Sequence, residues 1–552
     1  MSALSSTAVT HTARRRSRCN RWHVASLCIA ALVVLPILVP FFAWLTPEAE
    51  VWRHLTDTVL GELLYNTLVL SLGVGIGVLV LGAGLAWLTT LCEFPGRRLF
   101  EWALMLPLAV PTYVLAFVAI GLLDFSGPLQ TALRSLFGDD LRLPQIRSTG
   151  GVITVMVLAL YPYVYMLART AFLSQGRTMM ECGRMLGLTP WQAFLRVALP
   201  TARPALAAGV ALALMETLAD FGAVYIFNYD TFTTAIYKAW FGLFSLEAAA
   251  QLSTLLLLLV ALALYLERRF RGAARYYNSG KPAHERRLQL TGARAWGATA
   301  AATTVLLVAF LIPLGQLLLW AGESALDDLD ARYLEFVLHT LALGALAALI
   351  TVSVALLLAA VRRLQPQNRL SDMLLRLSTL GYALPGTVLA VGIMLLLTWL
   401  DQGIDSLSEA WFGGPVGLAL ASSLVALLFA YLVRFLAVAH SPVDSGLERI
   451  TPSIAQAARS LGAAHKEILW RIYLPMLRPG LLSAALLVLV EVMKELPATL
   501  LLRPFGWDTL AVRIFELTSE GEWERAALPA LALVLVGLVP VRLLMRATRP
   551  QG

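Results

Sequence analysis

The chain has 552 residues, of which 58% are hydrophobic and 14% charged, with a net charge of +8. A soluble domain carries roughly 25% charged residues, so a water-soluble fold is excluded, and recurring apolar runs of about 20 residues point to membrane-crossing helices. The short alternating segments of a membrane β-barrel are absent, and the basic residues lie between apolar runs, where they report topology rather than nucleic-acid binding.

The N-terminal tail, residues 1–23, is basic through Arg14, Arg15, Arg16, Arg18 and Arg21 and leads into a first predicted span at 24–46. That run is long and no small-residue cleavage site closes it, so it reads as a retained anchor rather than a signal peptide. Further spans are predicted at 63–91, 102–123, 150–172, 204–228 and 246–266. Gly73, Gly75, Gly77, Gly82 and Gly84 fall inside the second span, where small residues allow close helix packing. A hydrophilic, basic linker occupies 267–294, and a second set of spans follows at 295–321, 335–361, 373–400, 415–439, 480–502 and 526–545. The chain thus divides into two predicted six-helix halves, 24–266 and 295–546.

Charge placement supports this count. With the N-terminus inside, the inner loops hold Arg97 and Arg98, the linker, Arg362, Arg363 and Arg369, and the tail Arg542, Arg546 and Arg549. The outer loops hold Glu323, Asp327, Asp328 and Asp330, then Asp401, Asp405 and Glu409. Every inner loop is Arg-rich, as the positive-inside rule requires. Six is even, so both halves enter from one side and the repeats are parallel. The cysteines, Cys19, Cys28, Cys92 and Cys182, match no metal spacing and read as ordinary thiols.

One inner loop occurs twice. Glu181–Pro204 reads ECGRMLGLTPWQAFLRVALPTARP, and Gln456–Pro479 reads QAARSLGAAHKEILWRIYLPMLRP, aligned without a gap at an offset of 275. Eight of the 24 positions are identical, among them Arg184/Arg459, Gly187/Gly462, Arg196/Arg471 and Pro200/Pro475. The glycine suits a turn or helix end, while Pro204 and Pro479 are expected where the next helix starts. A plain basic loop explains the arginines but not the shared glycine and proline spacing.

That spacing resembles the EAA loop of ABC-importer permeases: E-A-A, three residues, G, nine residues, I-x-L-P. The copies lie at 181–200 and 456–475 and depart from it at Cys182 and Gly183, which stand for alanines, and at Gln456, which stands for the acid. The resemblance implies an all-α polytopic membrane protein with the type I ABC-importer permease fold. It implies that Glu181, Arg184, Gly187, Pro200, Gln456, Arg459, Gly462 and Pro475 belong to coupling loops gripped by two copies of a cytoplasmic ATPase. No G-x-x-x-x-G-K-[ST] occurs in the chain, so no cofactor is expected on it, and ATP with magnesium belongs to that partner.

Two pairs of acids lie inside predicted spans. Glu216 and Asp220 are four apart on the fifth, and Glu491 and Glu495 on the eleventh, again at the offset of 275. Each pair shares a helix face, and both are expected at equal depth across the pseudo-axis. A charge at mid-membrane costs about 2.5–3.5 kcal/mol on insertion scales, so four need a reason. Hard cations prefer oxygen ligands, which makes these carboxylates, Glu216 and Glu491 foremost, candidates for passing a metal cation. The alternative is an ion-pair network with Lys494, Arg434 or Arg169. Tyr161, Tyr163 and Tyr165 are candidate phenolic donors or packing residues.

The segments 107–130, 215–242 and 491–515 resemble the fused permeases of bacterial ferric-iron importers. The resemblance implies a multi-pass inner-membrane protein that takes Fe3+ from a periplasmic binding protein, with both termini cytoplasmic. The outer loops at 124–149, 228–246 and 503–525 are candidate docks. Related permeases carry polyamines, thiamine, sulfate or phosphonates, and a twelve-helix secondary transporter is the rival class.

Overall fold

The computed structural model describes residues 21–45, 49–138, 144–173, 183, 185–271, 287–364, 369–417 and 419–547. It is helical throughout apart from one pair of two-residue strands. Among these residues, eleven helices are long and apolar enough to cross a membrane, and a twelfth span forms if Trp191–Thr201 and Arg203–Ala219, bent by 71°, are taken together. The twelve expected spans all have a counterpart in this set. Cys28 and Cys92 are free thiols; Cys19 and Cys182 lie outside the described residues.

Four spans differ from the sequence expectation in being broken. The third, expected at 102–123, is a short helix Arg97–Ala103, a 3-10 turn Leu106–Ala109 and a helix Thr112–Leu123. The ninth, expected at 373–400, repeats this as Arg369–Ser378, Leu380–Ala383 and Gly386–Phe412. The cause is Pro111 and its counterpart Pro385. A proline ring drives the preceding residue out of the helical region, and Val110 and Leu384 accordingly have ψ of 119° and 137°. Each proline then starts the next helix, where its missing N–H leaves nothing unpaired.

The fifth and eleventh spans break later. Arg203–Ala219 ends at Asp220, whose ψ is 132°, before a second helix Gly222–Ile226. Leu474–Lys494 ends at Glu495, with ψ of 113°, before Pro497–Leu502. Pro497 cannot continue the helix. Its counterpart Gly222 is held by crowding, since a Cβ there would lie 2.7 Å from Tyr113 Cβ. Thus each half carries two breaks.

The sequence halves are not separate bodies. Ile29 and Val33 of the first span belong to the core built by residues 343–502 of the second half. Ala302, Phe310 and Leu317 of the seventh span, with Ala526, Ala530 and Val534 of the twelfth, share one core with residues 70–227 of the first half. Glycine permits both crossings: a Cβ on Gly392 would lie 1.9 Å from Pro36 O, and one on Gly121 would lie 2.6 Å from Trp320 Cη2. Inside the first half, Gly73, Gly77 and Gly82 admit the fourth span, Gly75 faces Leu214, and Gly84 faces open space.

Between the second and third spans, Cys92–Glu93 pairs in parallel with Leu288–Gln289 from the end of the linker. Arg97, expected in a solvated loop, is instead buried between Glu93 at 3.2 Å and Glu101 at 3.1 Å. Arg287 closes on Glu93 at 3.1 Å, and Arg169 pairs with Glu101. Burial pushes the Glu93 carboxyl up, but the Arg287 and Arg97 guanidiniums outweigh it and hold the group below the usual glutamate range.

Candidate functional site

The four breaks surround a cavity of about 290 Å³ between the halves, and Glu216, Asp220, Glu491 and Glu495 all line it. The structure therefore brings the two predicted pairs into one chamber. Their surroundings separate them into two kinds.

Asp220 and Glu495 sit at the helix breaks and hold them together. The Asp220 Oδ1 accepts from the backbone N–H of Ala223 at 3.0 Å and of Val224 at 3.2 Å, capping the helix that follows. Its Oδ2 accepts from Thr112 Oγ1 at 2.5 Å, which ties the fifth span to the start of the third. Glu495 does the same work with different chemistry. Its Oε1 accepts from the Ala498 N–H at 3.2 Å, and its Oε2 pairs with Arg434 Nε at 3.1 Å. Arg434 also donates to Leu384 O at 3.1 Å, on the ninth span. The residue matching Thr112 is Gly386, where a Cβ would lie 2.6 Å from Glu495 Oε1. The longer acid and its guanidinium occupy the space that the threonine side chain fills in the first half.

Arg434 and Glu495 are 12% and 6% exposed. Removing one partner of a buried pair costs about 3–5 kcal/mol, whereas neutralising both costs far less. Arg434→Met is expected to lower the thermal unfolding temperature of the purified protein markedly, and Arg434→Met with Glu495→Gln to recover most of the loss. A single variant as stable as the parent contradicts the stitching role.

Glu216 and Glu491 are half-buried and face the open chamber. The hydroxyl of Tyr382 stands beside Glu216, and Tyr163 lines the same wall. Of the other two tyrosines, Tyr161 donates to Leu104 O at 2.8 Å and Tyr165 donates to Glu101 O at 3.0 Å, so both are committed to the core of the first half. Of the three cations considered, Arg434 and Lys494 line the cavity, while Arg169 pairs with Glu101 and is not part of its lining. Among the described residues no three of His, Cys, Asp and Glu converge as a metal cluster. The chamber thus holds two carboxyls that open on its space and two committed to the helix breaks, rather than a tight chelate.

Among the described residues the turn of the duplicated loop recurs in both copies. Gly187 and Gly462 have φ of +80° and +85°, a left-handed conformation that glycine adopts without steric cost. In the second copy, helix Pro452–Ser460 ends with Gly462 N–H donating to Arg459 O at 2.9 Å and Ala463 N–H to Ala458 O at 3.0 Å, a Schellman-type closure. In the first, Leu188 N–H donates to Gly183 O at 3.0 Å at the matching position. Gly183 replaces alanine because a Cβ there would lie 2.8 Å from that of Ala193. A π-helical turn follows in each, Phe194–Ala198 and Leu469–Tyr473.

Gln456 and Arg459 are exposed, while Glu181 and Arg184 lie outside the described residues. Pro200 lies in the short helix Leu199–Thr201 before the bend, and Pro475 opens Leu474–Lys494. Pro204 starts its helix as expected, but Pro479 falls inside one, because the eleventh span begins a turn earlier. Both loops display apolar side chains: Leu186 is 79% exposed and Leu461 89%.

Sequence reasoning did not find Thr112, Gly386 or Tyr382. The signal available was Pro111-Thr112 set against Pro385-Gly386.

Comparison with known proteins completes the picture. A family described as "Binding-protein-dependent transport system inner membrane component" matches twice, over residues 78–272 and 352–550. The chain is similar over 533 residues to the Fe(3+)-transport system permease protein FbpB 2 of Haemophilus influenzae, at 30% identity, covering 93% of this chain and 96% of that protein. The sulfate transport system permease protein CysT of Escherichia coli matches at 31% identity, covering 36% of this chain and 69% of its own length. PhnV of Salmonella typhimurium, named for 2-aminoethylphosphonate transport, matches at 35%, covering 28% of this chain and 61% of its own length.

Proposed function

The chain belongs to the family of binding-protein-dependent transport system inner membrane components, and on that premise we propose that it is the permease of an ATP-driven importer of ferric iron. It is a multi-pass membrane protein and a transport subunit rather than an enzyme. The likeness to the Haemophilus Fe(3+) permease along nearly all of both chains carries the choice of cargo. Glu216 and Glu491, with Tyr163 and Tyr382 beside them, supply the oxygen donors that a hard cation prefers. A loose set suits a passage, since the ion must leave as readily as it enters.

The partners follow from the same reading. Two copies of a cytoplasmic ATPase hold the loops around Gly187 and Gly462, and a periplasmic binding protein delivers the ion. The chain lies in the bacterial inner membrane with both termini cytoplasmic, since its arginines cluster in the loops assigned to that side. Nucleotide binding draws the loops together and rocks the two halves, so that the chamber opens outward; hydrolysis resets it.

A second reading is an oxyanion such as sulfate, favoured by Arg434 and Lys494 on the cavity wall and by the sulfate permease among the relatives. Uptake of radioactive iron and of radioactive sulfate by cells with and without the gene separates the two. The proposal expects iron uptake to depend on the chain and sulfate uptake not to. The reverse result overturns it.

A further inference from the structure

The cavity carboxyls are duplicated, but its two cations are not. Glu216 and Asp220 recur as Glu491 and Glu495, whereas at the same offset Arg434 meets Ala159 and Lys494 meets Ala219. Arg434 is taken up by Glu495 and Leu384 O. Among the described residues Lys494 makes no ion pair. Its Nζ donates one long hydrogen bond, 3.5 Å, to Leu108 O of the opposite half. Glu491 lies three residues back on the same helix, hence on the same face, and Glu216 lines the same cavity as Lys494. The stem rests against Gly537 of the last span, where a Cβ would lie 3.0 Å from Lys494 Cε.

Resting on the cation reading above, we propose that Lys494 is a tethered counter-ion that compensates Glu216 and Glu491 while the chamber is empty and is displaced by the arriving ion. Two carboxylates inside a membrane are costly without a compensating charge, and a lysine on the wall supplies it at high effective concentration. A monovalent ion gains nothing over a lysine already present. A trivalent ion binds both carboxylates more strongly than one ammonium does. Lys494 therefore sets the charge of the cation that the chamber accepts.

The test uses the full chain in lipid nanodiscs with Tb3+ as the trivalent probe, read by luminescence sensitised through the cavity tyrosines. Lys494→Met removes the competitor and is expected to tighten Tb3+ binding about tenfold and to let Ca2+ compete where it does not in the parent. Lys494→Arg keeps the parent behaviour. A methionine variant that binds Tb3+ no more tightly than the parent, or a parent and variant that both fail to bind, overturns the proposal. A purely structural lysine shifts the unfolding temperature alone and leaves the titration unmoved, which also counts against it. If iron uptake depends on the chain yet the titrations do not separate, the counter-ion role falls and the cargo stands. If iron uptake does not depend on the chain, the cargo falls first.

Discussion

A permease carrying Leu186→Asp and Leu461→Asp is expected to insert and fold normally yet lose its ATPase. Both leucines stand on turns fixed by left-handed glycines and are 79% and 89% exposed among the described residues. Burying one leucine is worth about 1.5–3 kcal/mol, so removing two weakens association by roughly two to four powers of ten. The added carboxylates oppose binding further if desolvated. Pull-down of the ATPase by tagged permease measures the effect, and transport should vanish with it. Undiminished capture removes these loops from the coupling interface. Because the substitutions are on exposed turns, the unfolding temperature of the permease should stay within a few degrees of the parent.

Neutralising Glu216 and Glu491 together is expected to reduce iron uptake at least tenfold while leaving ATPase capture and stability intact. These two carboxyls face the chamber, Glu216 with the Tyr382 hydroxyl beside it, whereas Asp220 and Glu495 are stitched into helix breaks. The four acids should therefore divide by phenotype. Glu216→Gln with Glu491→Gln loses cargo, and Asp220→Asn or Glu495→Gln loses fold. Losing one charge at about 6 Å in a medium of effective dielectric near 20 is worth roughly 3 kcal/mol against a unit charge, ample for the predicted drop. Uptake that persists in the double glutamine variant eliminates the carboxylates as a cation path.

The membrane spans and the parallel repeat were legible because hydropathy and loop charge are local properties. The helix breaks were not. The apolar runs continue unchanged across Pro111 and Pro385, and acids on a predicted helix face gave no hint that Asp220 and Glu495 end their helices. The offset of 275 pairs the four carboxyls and one cavity holds all of them, but their division of labour depends on Thr112, Gly386 and Arg434, which differ between the halves. No periodicity reveals which half a helix packs against, so the crossing of the first and seventh spans emerged only from contacts such as Pro36 with Gly392. The strand pair Cys92–Glu93 and Leu288–Gln289 is too short to leave a sequence signal.

The central claim is that both loops lie on one face of the membrane, where a single motor assembly grips them. In a chain with its four cysteines replaced by serine, one cysteine is placed at Leu186 or at Leu461 and offered a membrane-impermeant maleimide. Labelling of both positions in inverted vesicles and of neither in intact spheroplasts is the expected result; labelling of the two positions from opposite sides contradicts the account.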